Sequence, residues 1–282
     1  MSNKEKYIND VNNRFDGKTK EILLKQIELF YQSPSQISKS KYQIGDMVQL
    51  SKGTFIHGIF GGLENFDFTI KNGFVSTDFT SEPRPNKICN SVGMWKVKED
   101  ISLKEYIELY SGFTISYYIG RGPSSKKVCE LIPYHKFDEV TETINNDENI
   151  WAYSGEQTKE VRFIPSLVSN KRQIAFILNT QSEYARKLIE ADIWNLCLSE
   201  DMVKPFLDYR YYPKFIEERK NKNALTTDRE SAIMFGLPIT LVEGIFVGRE
   251  IENNEQAIKY IKSKLPECYI CNLDGKIIIG NK

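Results

Sequence analysis

Apolar residues recur along this chain at two spacings, which divide it into helical and extended segments. Over residues 1–32 charged and polar side chains dominate, but Ile22, Leu23, Ile27 and Phe30 fall on one helical face. This predicts a charged helical segment whose second half packs against something. Ser33-Pro34-Ser35-Gln36 breaks the pattern. Residues 43–50 and 54–59 read as strands, the second closing on His57-Gly58. An amphipathic stretch follows, then Asn72-Gly73 turns the chain into the apolar run Phe74-Val75 and Ser76-Thr77. Pro83 and Pro85 make residues 80–86 a loop, because proline cannot donate to an interior ladder.

Ser102-Leu103-Lys104-Glu105 has the form of a capping box, and Leu103, Tyr106, Ile107 and Tyr110 share the helical face that follows. Ser111-Gly112 ends that helix, and the aromatic and β-branched residues 113–119 predict a strand. Residues 120–127 form a Gly/Pro/Ser loop. Residues 159–164 and 173–178 read as strands on either side of a polar turn at Ser169-Asn170. Residues 182–198 and 201–209 read as helices. Asp228 is placed to cap a short helix ending at Gly236, with Pro238 just beyond. Residues 241–247 form a strand, and Asn254 caps a helix running through Lys264. Residues 268–272 and 276–279 pair as a hairpin across Leu273-Asp274-Gly275. Strands and helices mix without regular alternation, so the expected class is α+β, with mostly antiparallel sheets and flanking helices. The expected organisation is an N-terminal helical segment over 1–40 and a single α+β domain over 41–282, with 199–282 a candidate C-terminal elaboration.

Composition narrows this only a little. With 282 residues, 40% hydrophobic and 12% aromatic, the chain can bury a sizeable core as one large domain or two small ones. Lys+Arg and Asp+Glu are equal at 38 each, so no global basic footprint for nucleic acid exists, although a local basic groove stays open. Met1-Ser2-Asn3-Lys4-Glu5 lacks the apolar core of a signal peptide, and no stretch is apolar enough to span a membrane. Five cysteines without a framework fit a reducing compartment. The expectation is a cytoplasmic protein with no membrane partner.

Only two histidines occur, His57 and His135, and His57 stands beside a glycine on a strand. Three segments then assemble in order: Phe55-Ile56-His57-Gly58, Asn72-Gly73-Phe74-Val75-Ser76-Thr77, and Lys159-Glu160-Val161-Arg162-Phe163-Ile164-Pro165. In this the chain, over roughly residues 44–180, resembles the ADP-ribosyltransferase superfamily. There a strand ends in His-Gly-Thr, an Asn-Gly turn follows, and a later strand opens on the catalytic glutamate. Ile59 stands where the family has threonine, and one residue is inserted before Pro165. Pro238 to Ile245 has some likeness to terminal strands of DNA-targeting members.

The resemblance implies a split β core and NAD as substrate, with no metal. It implies Glu160 and His57 as catalytic residues, and His57, Gly58, Ser76 and one of Tyr117 or Tyr118 as NAD-binding residues. The physical chemistry agrees. Cleaving the nicotinamide–ribose bond builds positive charge on the ribose, and a fixed carboxylate stabilises that charge as it develops. One nitrogen of His57 can bond ribose hydroxyls while the other fixes the tautomer. Gly58 gives close access to nicotinamide, and an aromatic face can sandwich its ring. Tyr117 and Tyr118 point to opposite faces of a strand, so one of them serves, with Tyr117 slightly favoured. The arginine-directed branch has a similar Ser-Thr strand, but it carries arginine where His57 stands and an acid or amide where Thr158 stands. Both differences argue against arginine as acceptor, and a single glutamate with a leading histidine looks more like the PARP-like or nucleic-acid-directed groups.

Plainer readings stand beside these. Glu160 and Arg162 can form a same-face ion pair worth about 0–1 kcal/mol. Tyr117 and Tyr118 can be core aromatics, and Ser76 a turn hydroxyl. Cys268 and Cys271 have metal-site spacing but lie in a strand, on opposite faces. Gly120-Arg121-Gly122 lacks the rest of a dinucleotide fingerprint. Lys214 to Lys222 reads as a solvated face, and nothing in the sequence aligns His135 with Cys129. The function expected is mono-ADP-ribosyl transfer from NAD to a protein or nucleic-acid acceptor, or NAD hydrolysis. The alternatives are a non-catalytic nucleotide- or partner-binding protein, and a hydrolase centred near Arg229 and Glu230.

Overall fold

A computed structural model of the chain describes residues 2–35, 42–59, 62–76, 91–110, 112–119, 126–133, 146, 150–151, 162–165, 173–192 and 230–280. It opens with two helices, α1 (Asn3–Arg14) and α2 (Gly17–Tyr31). Ser2 caps α1 in a full capping box with Glu5. Then come β1 (Gln49–Leu50), β2 (Phe55–Ile59), α3 (Gly62–Asn72), β3 (Phe74–Val75), β4 (Ser91–Lys96) and β5 (Ile101–Ser102). Next are α4 (Leu103–Tyr110), β6 (Gly112–Ile119), β7 (Lys126–Pro133), β8 (Ile150–Trp151) and β9 (Arg162–Pro165). The chain continues through β10 (Ile174–Leu178), α5 (Glu183–Ile189), β11 (Glu230–Met234), β12 (Gly236–Leu237) and β13 (Val242–Val247). It closes with α6 (Arg249–Glu252), α7 (Glu255–Lys264), β14 (Tyr269–Cys271) and β15 (Ile277–Ile279).

Every residue of β10 is buried, so it occupies the interior of a sheet covered on both faces. That sheet has seven strands in the order β11-β4-β2-β10-β13-β14-β15. All its pairings are antiparallel except β13 with β14. The parallel pair needs a crossover, and α6 and α7 supply it. A second sheet has the order β7-β6-β8, with β9 also on β6. Two short pairs, β1 with β5 and β12 with β3, complete the described strands. The α+β class with mostly antiparallel sheets is therefore the fold observed.

Alternation along β2 and β10 sorts the core into two layers. Phe55, Ile59, Ile174, Phe176 and Leu178 join Phe66 of α3, Leu188 of α5 and Ile258 and Ile261 of α7 on one face. Ile56, Ala175 and Ile177 join Leu103, Tyr106 and Ile107 of α4 on the other. Each fully buried aliphatic side chain here contributes about 1.5–3 kcal/mol. A third cluster sets Tyr7, Val11, Leu23, Ile27 and Phe30 of the helical pair against Val75, Ala232, Met234 and Phe235. The apolar face of α2 thus finds its partner beside β11 and β3. Residues 230–280 supply four of the seven strands of the main sheet.

Both sheet edges are covered, which blocks pairing with other chains. On β15, Gly45 N–H donates to the Ile277 carbonyl and Ile277 N–H to that of Asp46, both at 2.9 Å. On β11, Met234 N–H donates to the Ala191 carbonyl and Ala232 N–H to Asp192 Oδ1, both at 3.0 Å.

Several elements form where the sequence places them. Ser102 and Glu105 bond reciprocally at the start of α4. Asn254 Oδ1 accepts from Ala257 N–H at 3.1 Å to cap α7. The Asn72-Gly73 turn ends α3, with Gly73 at φ +73, where its N–H reaches the Thr69 carbonyl at 2.8 Å. The hairpin β14–β15 forms as expected.

Other elements differ. The strand expected over 43–50 is confined to Gln49–Leu50, because the Asp46 carboxylate takes Gln43 N–H at 2.7 Å and closes a turn. The short helix expected after Asp228 is instead β11. Ala232, Ile233, Met234 and Phe235 are buried together, and β4 supplies a ladder that a helix of that length cannot match. The helix expected over 182–198 ends at Ile189, and Asp192 bridges to Ile233. Lys126 and Lys127 belong to β7 rather than to a loop. The expected loop at 80–86, the turn at Ser169-Asn170, the helix at 201–209, and Asp228, Arg229 and His135 lie outside the described residues. No helix among the described residues is long and apolar enough to cross a membrane.

Gly244 lies under the ring of Tyr269, and a Cβ there would stand 2.1 Å from the ring's Cζ. Gly244→Ala is therefore expected to destabilise the fold by about 1–3 kcal/mol or more, whereas Asn254→Ala, which removes only a cap, costs about 1 kcal/mol. Urea unfolding checks this through the order of the two midpoints at constant slope.

Candidate functional site

His57 is the third residue of the five in β2, so it lies inside the strand rather than at its end. On one side β2 pairs with β10 along its whole length. On the other it pairs with β4 only at Phe55↔Lys96 and Ile56↔Trp95. Among the described residues the ladder between β2 and β4 opens from His57 onward, and the imidazole bonds across that opening. His57 Nδ1 lies 2.9 Å from the carbonyl oxygen of Gly93. A carbonyl only accepts, so Nδ1 carries the hydrogen of this bond.

Aromatic packing fixes the plane of the half-buried ring. His57 meets Phe74 edge-on at 5.3 Å, Phe74 meets Phe176 edge-on at 5.1 Å, and Phe176 stacks on Phe66 at 5.9 Å. Phe74 reaches this place because β3 follows the Gly73 turn and pairs with β12. Ser76, buried just beyond β3, donates its N–H to the Phe235 carbonyl at 2.9 Å.

The structure brings only part of the expected site together. His57 and Gly58 are consecutive on β2, and Ser76 is two residues beyond the Phe74 that contacts His57. Gly58 is buried opposite Ala175, a residue of the core layer on the sheet face away from His57. Its contribution toward the His57 side is therefore main chain rather than free space. Tyr117 and Tyr118 belong to β6 of the second sheet, Tyr117 opposite Val128 and Tyr118 opposite both Lys127 and Trp151. Glu160 lies outside the described residues, and β9 begins at Arg162, opposite Ser116.

Sequence reasoning passed over Glu243. Between Ile177↔Gly244 and Leu178↔Val242 the β10–β13 register slips, leaving Glu243 as the extra residue of a bulge. Its half-buried carboxyl is pushed above the ordinary value by burial, opposed by a hydrogen bond from the Asn179 side chain. The legible signal was one acid inside the apolar run 241–247.

Cys268 and Cys271 sit in the two different core layers, on opposite faces as expected. Their thiols donate to the carbonyls of Val242 at 3.3 Å and Ile245 at 3.4 Å. Burial pushes the Cys268 thiol up to about 12, so it is not a nucleophile near neutral pH. Among the described residues no three of His, Cys, Asp and Glu gather as metal ligands do.

No known protein family's sequence profile matches the chain, and no curated protein or solved structure is detectably similar to it.

The bulged carboxyl yields a pH signature. Because its folded pKa is raised above 4.5, the folded protein holds this proton to higher pH than the unfolded chain does. Its stabilising effect is full below the ordinary glutamate value and declines as pH rises through the folded value. Glu243→Gln should flatten that part of the curve of unfolding free energy against pH. Superimposable curves for the two proteins would show that Glu243 is not desolvated.

Proposed function

We propose that the chain is an NAD-using mono-ADP-ribosyltransferase that passes ADP-ribose to a protein or nucleic-acid acceptor, or to water as a glycohydrolase, in the cytoplasm. The observation that carries the reading is the anchored imidazole of His57 at the opening between β2 and β4. Its support in sequence is the ordered set of segments ending in Glu160-Val161-Arg162-Phe163-Ile164-Pro165.

NAD supplies the scissile nicotinamide–ribose bond, whose cleavage builds positive charge on the sugar. The chain's own residues then have separate roles. Glu160 offers a carboxylate to the developing charge and accepts a proton from the incoming nucleophile. His57, with Nδ1 held by Gly93, presents Nε2 to ribose hydroxyls as an acceptor while neutral. Gly58 contributes main-chain groups, Ser76 a hydroxyl, and one of Tyr117 or Tyr118 an aromatic face for nicotinamide.

A second reading is a non-catalytic nucleotide- or partner-binding protein. The observation that favours it is the aromatic packing of His57, which suits a structural histidine equally well.

Nicotinamide release from NAD by the purified protein decides between them. Glu160→Gln should reduce the rate by about a hundredfold or more, the scale of one lost transition-state contact. No release from either protein, even with cell lysate added as acceptor, removes the transferase reading. In that case a ligand whose affinity is unchanged by Glu160→Gln supports the binding module.

A further inference from the structure

The Gly93 carbonyl that holds His57 is itself held from the far side of the sheet. In an antiparallel ladder, alternate residue pairs exchange no hydrogen bonds and turn their peptide groups outward. Gly93 is paired with Ala232 of β11. The Ala232 N–H points away from β4 and donates to Asp192 Oδ1 at 3.0 Å. The Gly93 carbonyl points away from β11 and accepts from His57 Nδ1 at 2.9 Å. The carboxylate of Asp192, only 1% exposed, thus stands at one end of a line of contacts that ends on the imidazole.

The surrounding geometry makes this line specific. Asp192 lies just past α5, and Ala191 beside it takes the Met234 N–H at 3.0 Å, so two successive outward N–H groups of β11 are fixed by one short segment. The β2–β4 ladder stops at Ile56↔Trp95. Main-chain pairing with β2 thus ends two residues short of Gly93, and the ladder that reaches Gly93 is the one with β11. A contact that fixes β11 laterally therefore bears on the acceptor of His57 through this pair.

We infer that Asp192 is a positioning residue for His57, acting through Ala232 and Gly93 to hold the imidazole in the Nδ1–H tautomer. Its relevance to catalysis rests on the NAD reading, but the positioning itself does not. A buried carboxylate placed only to seal the β11 edge would leave the tautomer of His57 unaffected.

The test is ring nitrogen-15 NMR of His57 in a His135→Gln background, where it is the only histidine. The neutral wild-type ring should be the Nδ1–H tautomer. Asp192→Asn keeps an oxygen acceptor for Ala232 and should keep that signature. Asp192→Ala should mix the tautomers and speed exchange of the Nδ1 proton by about tenfold, the scale of one lost hydrogen bond. An Nε2–H tautomer in the wild type overturns the inference, as does a folded Asp192→Ala protein whose His57 signals are unchanged. Should Asp192→Ala fail to fold, wild-type exchange decides. Protection factors for His57 Nδ1–H and Ala232 N–H, each taken against that group's own unprotected exchange rate, support a shared opening when they agree within about tenfold, and a wider gap overturns it. Loss of the NAD reading through absent nicotinamide release leaves these outcomes unchanged, so the two failures are separable.

Discussion

The burial of β10 on both faces is the constraint on which the rest depends. Ile174, Ala175, Phe176, Ile177 and Leu178 are all fully inaccessible, and the strand is paired on both sides. A strand with no wet face must have helices or loops over each side of its sheet. That requirement draws α3, α5 and α7 to one face and α4 to the other. It also fixes the registers of β2 and β13, because a one-residue slip would move every side chain to the opposite layer. His57 faces the same layer as Phe55 and Ile59 for this reason.

Departures from regularity begin at the end of β10 and beyond it. On one side the β2–β4 ladder opens after Ile56, and β3 brings Phe74 against the imidazole beside the opening. On the other, β13 takes an extra residue at Glu243, next to the end of β10. Further out, Asp192 covers the β11 edge and the turn at Asp46 covers β15. The β2–β10 pairing is unbroken, and the irregularities at His57, Asp192 and Glu243 bring a side chain to a main-chain group or, at Glu243, to a neighbouring amide.

Local chemistry made much of the fold readable in the sequence. The caps at Ser102 and Asn254, the Asn72-Gly73 turn and the hairpin at the C-terminal end were legible because each rests on residues within a few positions of one another. What failed depended on distant partners. The run around Ala232-Ile233-Met234 carries no period that separates a buried helix from a buried strand, and only β4 decides it. The site followed the same rule. His57 stood out by rarity and by its glycine. Its anchor on Gly93, its wall at Phe74 and its distant support at Asp192 come from three other segments that no spacing rule connects. Glu243 was visible as one acid among apolar residues, but the bulge that places it is a property of two strands.

The opening at His57 is hard to explain by stability alone. Continuing the β2–β4 ladder past Ile56 would add main-chain hydrogen bonds, each worth about 0.5–1.5 kcal/mol net. In their place stands a bond from an imidazole to a carbonyl, and the ring is half-buried against Phe74, where an aliphatic side chain would pack without a polar group to satisfy. A fold that needed only a sealed sheet would gain from closing the ladder and replacing the histidine. Local rules broken in this way concentrate at sites that bind or react. What the arrangement gains is an oriented imidazole beside a gap in the sheet, with its tautomer set by main chain. An unbroken ladder would have no gap in which to hold it.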